Sequence, residues 1–289
     1  MTQLTQTAIA SQQICFYGAG SMAEAIARGL INKKLISPNQ ISMLNRQNKD
    51  RLSELNELYG IQTIVQGSSN EAYLKEADII FLAMKPKDAA EAIASIKPFI
   101  SSKQLIISVI AGLSIKAIEQ LLGGQASVVR AMPNTSSTIG LGATGISYSD
   151  IVTTSQKALT EAIFSSVGIN AIVDESLQQA VTGVSGSGPA YVYYFMESMI
   201  DTAIQLGFSE TAAKELVVQT VLGAAEMVRH TGEEPAELRR KVTSPNGTTQ
   251  AALELMAENH FSETIKKAIH RSAERAGELG EAIERSINE

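Results

Sequence analysis

The order of apolar and polar positions divides the chain into two parts. In the first part, short apolar runs rich in branched residues alternate with longer stretches of helical spacing. This alternation is typical of strand and helix units on a mostly parallel sheet, and it predicts an α/β domain over residues 1–173. The predicted strands are Ile14 to Tyr17, Ile41 to Leu44, Gln62 to Val65, Ile79 to Ala83, Leu105 to Val109, Val128 to Ala131, Ala143 to Ser147 and Ala171 to Val173.

After Glu175 the strand-like runs stop, and helical stretches alternate with brief Ser, Gly and Pro interruptions. The pattern predicts an all-helical second domain over residues 174–289. Its expected helices run from Pro189 to about Leu206, from a Ser209 cap to about His230, briefly after Pro235, from Thr249, and from about Phe261.

The stretch from Tyr191 to Ile204 is apolar around most of its predicted helical circumference. Such a helix is stable only when neighbours cover it on several sides. We therefore expect two copies to pair through their C-terminal helices as a homodimer, with further assembly possible. A monomer whose first domain covers these helices is the alternative.

Composition and charge favour small-molecule chemistry. The 289 residues are 44% hydrophobic, and 24 basic against 30 acidic residues give a formal charge of -6. This balance argues against nucleic acid and membrane partners, which select basic surfaces. Three scattered histidines offer no zinc-ligand spacing, so we expect no metal. Cys15 has no disulfide partner; it is interpreted as a buried strand residue, with a reactive thiol as the alternative.

The N-terminal residues, Met1 to Gln12, are polar and contain no apolar run of signal-peptide length, so we expect a loose tail. No segment approaches the about 20 consecutive apolar residues of a membrane-spanning helix. A cytoplasmic location is expected.

A glycine motif joins the first strand to the first helix of the α/β domain. The segment Gly18-Ala19-Gly20-Ser21-Met22-Ala23 follows Ile14 to Tyr17 directly. In this context the glycines allow a tight turn and close approach of backbone N–H groups to a pyrophosphate at the helix N-terminus. The motif predicts a Rossmann-like dinucleotide-binding domain, whereas an ordinary glycine-requiring turn is the alternative.

The end of the second strand indicates which dinucleotide binds. NAD-selective sites place an acidic residue there, but this strand ends in Asn45-Arg46. A guanidinium can bind the 2'-phosphate that a carboxylate would repel, so NADPH is the expected cofactor and NADH is possible with lower preference. Arg46 as a solvated surface cation is the alternative.

Two further motifs close strands at the edge where open α/β sheets bind ligands. Ala83-Met84-Lys85-Pro86 ends the fourth strand, and its position favours a cofactor contact. Met132-Pro133-Asn134-Thr135 follows a later strand, and its polar pair is a candidate contact for the nicotinamide or the substrate. For Lys85, a plain strand-end charge is the alternative.

Two loops of the helical part are rich in glycine and hydroxyl residues. They are Ser185-Gly186-Ser187-Gly188-Pro189 and Thr243-Ser244-Pro245-Asn246-Gly247-Thr248-Thr249, and each precedes a predicted helix. Free N–H groups at a helix N-terminus, with nearby hydroxyls, can bind a carboxylate without a basic side chain. Helix capping by Ser and Thr explains the same residues equally well.

The order of these motifs along nearly the whole chain closely resembles pyrroline-5-carboxylate reductase. The two helical-domain motifs are the most specific part of the resemblance. It implies a small imino-acid substrate and the NADPH-dependent reduction of 1-pyrroline-5-carboxylate to L-proline, the last step of proline biosynthesis.

The resemblance also implies roles for individual residues. Thr249 is the expected catalytic residue. The expected cofactor contacts are Gly18, Ala19, Gly20, Ser21, Met22, Ala23, Asn45, Arg46, Asn70, Ala83, Met84, Lys85, Pro86 and Ala111. The expected substrate contacts are Glu175, Ser244, Gly247, Thr248 and Thr249.

Three positions depart from the family's usual residues. Ser21 stands where asparagine is common, Met84 where valine is usual, and Asn246 where glycine is usual. Asn246 places a side chain in a loop that is normally backbone only. Because asparagine tolerates positive φ better than most residues, we expect the loop to keep its shape.

The implied reaction needs positioning more than strong acid catalysis. The hydride donor must approach the imine carbon at about 3 to 3.5 Å. A protonated cyclic imine is already electrophilic, so a strong acid is not needed, and a hydroxyl that is hydrogen-bonded to the ring nitrogen can suffice. Thr249 is the residue expected to provide that hydroxyl. The alternative role of Thr249 is to cap its own helix.

Two rival functions follow from the same motifs. A β-hydroxyacid-dehydrogenase-like reductase relies on a lysine early in the helix after Pro189, where this chain has none before Lys214. A non-catalytic NADP-binding regulatory protein would keep the fold and bind cofactor without turnover.

Overall fold

The chain forms two units, one built around a sheet and one made of helices. The computed structural model describes residues 3–67, 70–124 and 126–288. We call Met1–Ser187 together with Arg271–Glu289 the sheet unit, and Gly188–His270 the helical unit. The functional boundary expected after residue 173 remains a prediction.

Eight strands form the sheet of the first unit. They are β1 (Ile14–Tyr17), β2 (Ile41–Asn45), β3 (Gln62–Val65), β4 (Ile79–Leu82), β5 (Leu105–Ser108), β6 (Ser127–Met132), β7 (Gly142–Tyr148) and β8 (Gly168–Ile172). Their order is β3-β2-β1-β4-β5-β6-β7-β8. All pairs are parallel except β6 with β7, which confirms the mostly parallel sheet of the expected Rossmann-like domain.

Helices cover the sheet on both faces. They are α1 (Gln3–Ala10), α2 (Ser21–Asn32), α3 (Lys49–Tyr59), α4 (Glu71–Glu76), α5 (Ala89–Ile96), α6 (Ile115–Leu122), α7 (Thr154–Ser165) and α8 (Gln178–Val181).

The central strands are apolar at successive positions because both faces are buried. On one face of the sheet, Phe16 of β1 and Phe81 of β4 stack with their ring centroids 4.6 Å apart. Phe164 of α7 contacts Phe81 edge-on at a centroid distance of 6.3 Å. Cys15 and Ile80 point to the opposite core cluster. Burial raises the pKa of the Cys15 thiol to about 12, so this cysteine is an inert core residue, as the sequence indicated.

The strand order reverses beside β1. The chain runs from β1 outward through β2 to β3, and then crosses to β4 on the other side of β1. The connections therefore leave a crevice at the carboxyl ends of β1 and β4, where ligands bind in open α/β sheets.

The expectation of a loose N-terminal tail was wrong for residues 3–10, which form α1; residues 1–2 lie outside the described residues. Ile9 is fully buried, and α1 packs against α7. Gln3–Ala10 contains two large apolar residues in sequence, Leu4 and Ile9, which is too weak a pattern to predict a helix. Its formation depends on a tertiary contact that a local pattern does not reveal.

The last strand begins earlier than expected. It was predicted at Ala171 to Val173, but β8 spans Gly168–Ile172. A Cβ atom on Gly168 would lie 2.0 Å from the Gly142 carbonyl oxygen, so a glycine lets β7 and β8 approach at this point. Glycine weakens the strand pattern in sequence, which explains the shifted boundary.

The helical unit confirms the predicted series of helices. It contains α9 (Gly188–Gln205), α10 (Glu210–Thr231), α11 (Pro235–Lys241), α12 (Thr248–Glu258) and the start of α13 (Phe261–Asn288). Ser209 caps α10, with its hydroxyl accepting from the Ala212 N–H at 3.3 Å. Helix α13 continues into the sheet unit, where its last residues pack.

Much apolar surface of the helical unit stays exposed. No residue of α9 is buried, and α10 buries Ala213 and Val217. Tyr194 is 73% exposed and Tyr193 is 54% exposed. Exposed apolar surface of this extent marks an interaction face. Among the helices of the described residues, none combines the length and apolarity needed to span a membrane.

Candidate functional site

The glycine turn between β1 and α2 is shaped by its contact with neighbouring strands. The Gly18 N–H donates to the Leu44 carbonyl oxygen at 3.0 Å. Gly18 has a φ of +122°, and a Cβ atom there would lie 2.4 Å from the Ala83 carbonyl oxygen. Only glycine fits this backbone conformation and this approach. The turn is therefore held closely against the ends of β2 and β4.

Gly20 occupies the N-cap of α2 and meets a different environment. It makes no side-chain cap, and a Cβ atom added there would meet nothing within 4 Å. The first N–H groups of a helix have no acceptor within it. The N-terminus of α2 therefore presents backbone donors and a positive dipole end to open space, as anion binding requires.

An ion-pair cluster fixes the glycine turn to α3. Arg51 donates through Nε to the Ala19 carbonyl oxygen at 3.4 Å and pairs with Glu24 of α2. The Tyr59 hydroxyl donates to the same carboxylate at 2.6 Å. Burial alone would raise the pKa of Glu24, but the hydrogen bonds from Tyr59 and Arg51 and the nearby positive charge outweigh it and lower that pKa. Glu24 thus stays charged and anchors the turn.

The crevice at the ends of β1 and β4 has a volume of about 300 Å³ and brings together most of the residues predicted to bind the cofactor. It is lined by Tyr17, Gly18, Ala19, Gly20, Asn45, Arg46, Gln66, Ala83, Met84, Lys85, Asp88, Glu91, Ala92 and Ser95.

The other predicted cofactor residues lie outside this lining. Ala23 is fully buried on the inner face of α2, and Asn70 is 8% exposed before α4. Ala111 follows β5, on the far side of β4 from the glycine turn. The full set outside the lining is Ser21, Met22, Ala23, Asn70, Pro86 and Ala111.

Asn45 and Arg46 stand at the end of β2 as expected. The Asn45 Oδ1 accepts from the N–H groups of Gln47 and Asn48 at 3.1 and 3.0 Å, which shapes the turn into α3. Arg46 is 58% exposed, and two carboxylates face it: Asp88 at 3.7 Å from Nη1 and Glu91 at 3.5 Å from Nη2. The guanidinium is accessible, but its charge is partly balanced.

Sequence reasoning missed one wall of the crevice. Asp88, Glu91, Ala92 and Ser95 come from the start and one face of α5, directly after the Lys85-Pro86 motif. Their spacing of three and four residues places them on one side of a helix. That spacing was the available signal, because the helix after the strand at the switch point must present one side to the crevice.

The loop that carries Ala111 rests on the end of α13. Gly112 has a φ of +83°, and a Cβ atom on Gly280 of α13 would lie 2.5 Å from the Gly112 carbonyl oxygen. Ser114 and Glu284 share a hydrogen bond of 2.5 Å between their side chains. Two glycines therefore allow the loop and the helix backbone to touch.

Glu175, a predicted substrate contact, has partners within the sheet unit. Its Oε1 accepts from the Ile115 N–H at 2.7 Å and from Arg130 Nη1 at 3.1 Å. Arg130 is 8% exposed, so this pair is shielded from solvent on one side. The carboxylate thus caps the N-terminus of α6 and neutralises a buried guanidinium.

Asn134 and Ser185, from two of the predicted motifs, contact each other. The Asn134 amide donates to the Ser185 carbonyl oxygen at 3.1 Å, and its Oδ1 accepts from the Ala143 N–H at 3.2 Å. The Ser185 hydroxyl donates to the Ala143 carbonyl oxygen at 3.1 Å. These bonds hold the segment Thr182–Gly186, a turn of π-helix, against β7.

In the helical unit, the loop before α12 is held by its own hydrogen bonds, and the Asn246 N–H donates to Gln250 Oε1 at 2.7 Å. Asn246 has a φ of +59°, in the left-handed region that asparagine tolerates better than most residues. Gly247 is the N-cap of α12 without a side-chain cap, and its N–H donates to the Ser244 carbonyl oxygen at 3.0 Å. Thr248 and Thr249 open the helix, where N–H groups lack helical acceptors.

The Thr249 hydroxyl has no hydrogen-bond partner within the described part of the chain, although the side chain is only partly exposed. It does not cap its helix, because the N-cap is Gly247. Other threonines of this unit, such as Thr243 and Thr264, donate to a carbonyl oxygen four residues earlier. Thr249 therefore keeps its hydroxyl for another partner.

Comparison with known proteins adds to this geometry. Residues 175–279 match the family model for pyrroline-5-carboxylate reductase dimerisation. Residues 13–112 match the model for NADP oxidoreductase, coenzyme F420-dependent.

Full-length relatives span both units. The Bacillus subtilis pyrroline-5-carboxylate reductase 2 is 41% identical over 279 residues, covering 95% of this chain and 99% of that protein. The Plasmodium falciparum pyrroline carboxylate reductase with NADP bound has a TM-score of 0.84 at 31% identity, over 94% of this chain and 99% of that one. The Coxiella burnetii pyrroline-5-carboxylate reductase has a TM-score of 0.85 at 37% identity, over 93% and 98%.

Proposed function

Because the chain belongs to the pyrroline-5-carboxylate reductase family, we propose that it reduces the C=N bond of 1-pyrroline-5-carboxylate to give L-proline, with NADPH as the hydride donor. The observation that carries the proposal is that one chain holds both a glycine turn with open space at the uncapped start of α2 and a second uncapped helix start, that of α12, with a Thr249 hydroxyl that is unpaired among the described residues. The Plasmodium relative with NADP bound supports the choice of cofactor.

The residues of the crevice fit a dinucleotide. The open space at Gly20 and the uncapped start of α2 suit a pyrophosphate, which an additional side chain would obstruct. We assign the 2'-phosphate to Arg46 and the ribose to Asn45, and keep the remaining predicted contacts as part of the proposal. NADH fits the same crevice without the phosphate contact, so it serves with lower preference.

The loop before α12 suits the substrate carboxylate. We assign the carboxylate to the N–H groups around Gly247 and Thr248, with Ser244 beside them, because helix N-termini bind anions through backbone donors. Glu175 stays a proposed substrate contact through Oε2, since its Oε1 is engaged by Ile115 and Arg130.

Thr249 is the proposed catalytic residue. When bound, the reduced nicotinamide supplies a hydride to the imine carbon, and the electron pair of the C=N bond stays on nitrogen. The Thr249 hydroxyl orients the protonated ring nitrogen by accepting its N–H, so that the product leaves as a secondary amine. Such orientation accounts for much of an enzyme's acceleration when the bound geometry is near that of attack.

Replacing Thr249 with valine tests this role. Valine keeps the shape and removes the hydroxyl, so we expect kcat/KM for 1-pyrroline-5-carboxylate to fall by about tenfold or more, or at least about 1.4 kcal/mol. The measurement follows the absorbance of the reduced nicotinamide and identifies proline as the product.

Thr264→Val is the matched control, because it removes a hydroxyl of the same unit that bonds to the His260 carbonyl oxygen, directly before its own helix. A loss below about threefold in Thr249→Val would rule out the catalytic role. Cofactor binding without turnover in the unmodified protein would instead indicate a regulatory NADP-binding protein.

The proposed assembly is a homodimer through the helical region, in which the residues after 173 serve substrate binding and dimerisation. The exposed apolar faces of α9 and α10 and the match to a dimerisation model support it. Further assembly of dimers is compatible with this arrangement. We place the activity in the cytoplasm, because the single cysteine of the sequence, Cys15, cannot form an internal disulfide, as fits a reducing compartment.

A further inference from the structure

The charges that line the crevice cancel each other. Arg46 and Lys85 are its basic residues, and Asp88 and Glu91 are its acidic residues. A 2'-phosphate carries about -1.5 to -2 charge at neutral pH, as other phosphate monoesters do. A crevice built only to hold that phosphate would present a positive surface. The two carboxylates therefore need an explanation.

Both carboxylates face the guanidinium assigned to the phosphate. Asp88 Oδ1 lies 3.7 Å from Arg46 Nη1, and Glu91 Oε2 lies 3.5 Å from Nη2. The two carboxylates thus face both terminal nitrogens of the Arg46 guanidinium, which would otherwise bind two phosphate oxygens in a bidentate manner. A bound 2'-phosphate must therefore share Arg46 with two negative charges.

The fold accounts only weakly for these carboxylates, because an exposed acidic residue at the start of a helix stabilises it by at most about 1 kcal/mol. Asp88 stands at the N-cap position of α5, but its side chain makes no cap hydrogen bond. Glu91 is 79% exposed. Ion pairs at such exposed positions contribute little to stability. Their position in the crevice is better explained by an effect on the ligand.

We propose that Asp88 and Glu91 set the cofactor specificity of this chain by limiting its preference for NADPH over NADH. They compete with the 2'-phosphate for Arg46, which weakens NADPH binding. The adenosine ribose of NADH offers neutral hydroxyls in that place, and these can donate to a carboxylate. The inference rests on the proposed function only in taking nicotinamide dinucleotides as the ligands.

The test measures the dissociation constants of NADPH and NADH by titration without any imine substrate. In Glu91→Gln the ratio of the NADH constant to the NADPH constant should rise about threefold, and in Asp88→Asn/Glu91→Gln about tenfold, since each exposed charge contributes up to about 1 kcal/mol. An unchanged ratio in the double variant would overturn the proposal.

Glu274→Gln is the matched control. Glu274 lies 3.5 Å from Arg271 and is 66% exposed, so it resembles Glu91 in pairing and exposure but does not line the crevice. In Glu274→Gln the ratio of the NADH to the NADPH dissociation constant should be the same as in the unmodified chain. A similar rise in this control would overturn the proposal, because the effect would then follow net charge alone.

Arg46→Ala gives a second, sharper outcome. With the guanidinium removed and both carboxylates left, NADPH should bind more weakly than NADH. In Arg46→Ala/Asp88→Asn/Glu91→Gln the two constants should return to near equality. If Arg46→Ala alone gives equal constants, the carboxylates do not act on the phosphate and the inference fails.

Turnover separates this inference from the proposed function. If the unmodified chain does not reduce 1-pyrroline-5-carboxylate but the ratios shift as described, the proposed reaction is wrong and the specificity role of Asp88 and Glu91 stands. If turnover occurs and the ratios do not shift, the reaction stands and this inference is wrong.

Discussion

Gly18 and Gly20 belong to one turn, but different constraints act on them. Gly18 is required by the fold, because its φ of +122° and the Ala83 carbonyl oxygen exclude a side chain. Gly20 adopts an extended backbone with open space around it, so the fold tolerates a side chain there. The space at Gly20 is what the ligand needs.

Alanine at each position should therefore give opposite results. We expect Gly18→Ala to lower the free energy of unfolding by at least about 2 kcal/mol, from strain and a backbone clash. We expect Gly20→Ala to change it by less than about 1 kcal/mol but to weaken NADPH binding by about tenfold or more. Urea unfolding and cofactor titration measure the two effects.

The comparison between the two variants is its own control. If Gly20→Ala keeps the NADPH affinity of the unmodified chain, the pyrophosphate does not lie at the start of α2, and the assignment of the crevice is wrong. If Gly18→Ala unfolds at the same urea concentration as the unmodified chain, the close approach to β4 is not a constraint of the fold.

At the scale of elements, the crossing of α13 with the loop after β5 depends on small residues. Helix α13 carries Gly277 and Gly280 one turn apart, and glycine costs a helix interior about 1 kcal/mol relative to alanine. At Gly280 the absence of a side chain allows the helix to contact the Gly112 backbone. Gly277 instead faces the flexible Gln179 side chain. The two glycines are thus a matched pair.

We expect Gly280→Ala to destabilise the protein by about 1 to 3 kcal/mol, because a Cβ atom 2.5 Å from the Gly112 carbonyl oxygen must push the loop or the helix away. Gly277→Ala should be neutral or stabilising by up to about 1 kcal/mol, since a side-chain end can move. Thermal or urea unfolding of both variants measures the difference. Equal stability of the two variants would contradict the close crossing of α13 over Gly112.

Elements that have a clear local sequence pattern were predictable. The central strands are visible in the sequence as apolar runs such as Ile79–Leu82. Ser209 is an N-cap residue and Pro235 is a proline at the first helical position, so both mark the start of a helix. Helix α1 was not predictable, because the element against which it packs, α7, lies 145 or more positions beyond its fully buried residue Ile9. Local periodicity carries no information about such contacts.

The same distinction applies to the site. The glycine turn and Asn45-Arg46 were found because a strand end fixes where they point. Asp88 and Glu91 were missed because charged residues at the start of a helix are common, so their spacing alone did not distinguish them, although both carboxylates face Arg46 in the structure. Likewise, the hydrogen bonds of Glu175 to Ile115 and Arg130 join residues far apart in sequence.

At the scale of the whole molecule, the unburied side of the helical unit calls for a second copy. A chain this size normally buries its large apolar helices, yet Tyr194 is 73% exposed, Phe195 41% and Leu216 54%. A few residues near the centre of an interface, with Trp, Tyr and Arg enriched among them, each cost about 2 kcal/mol or more when they are truncated. A dimer through this face would remove these side chains from water.

We therefore expect the unmodified chain to sediment at no less than twice its single-chain mass of 30.8 kDa. Tyr194→Asp should raise the dimer dissociation constant by about thirtyfold or more, since a charge cannot be buried without a partner. Leu58→Asp is the control, because Leu58 is 61% exposed on α3 of the sheet unit. A single-chain mass for the unmodified protein, or equal weakening by both substitutions, would place the subunit contact elsewhere or remove it.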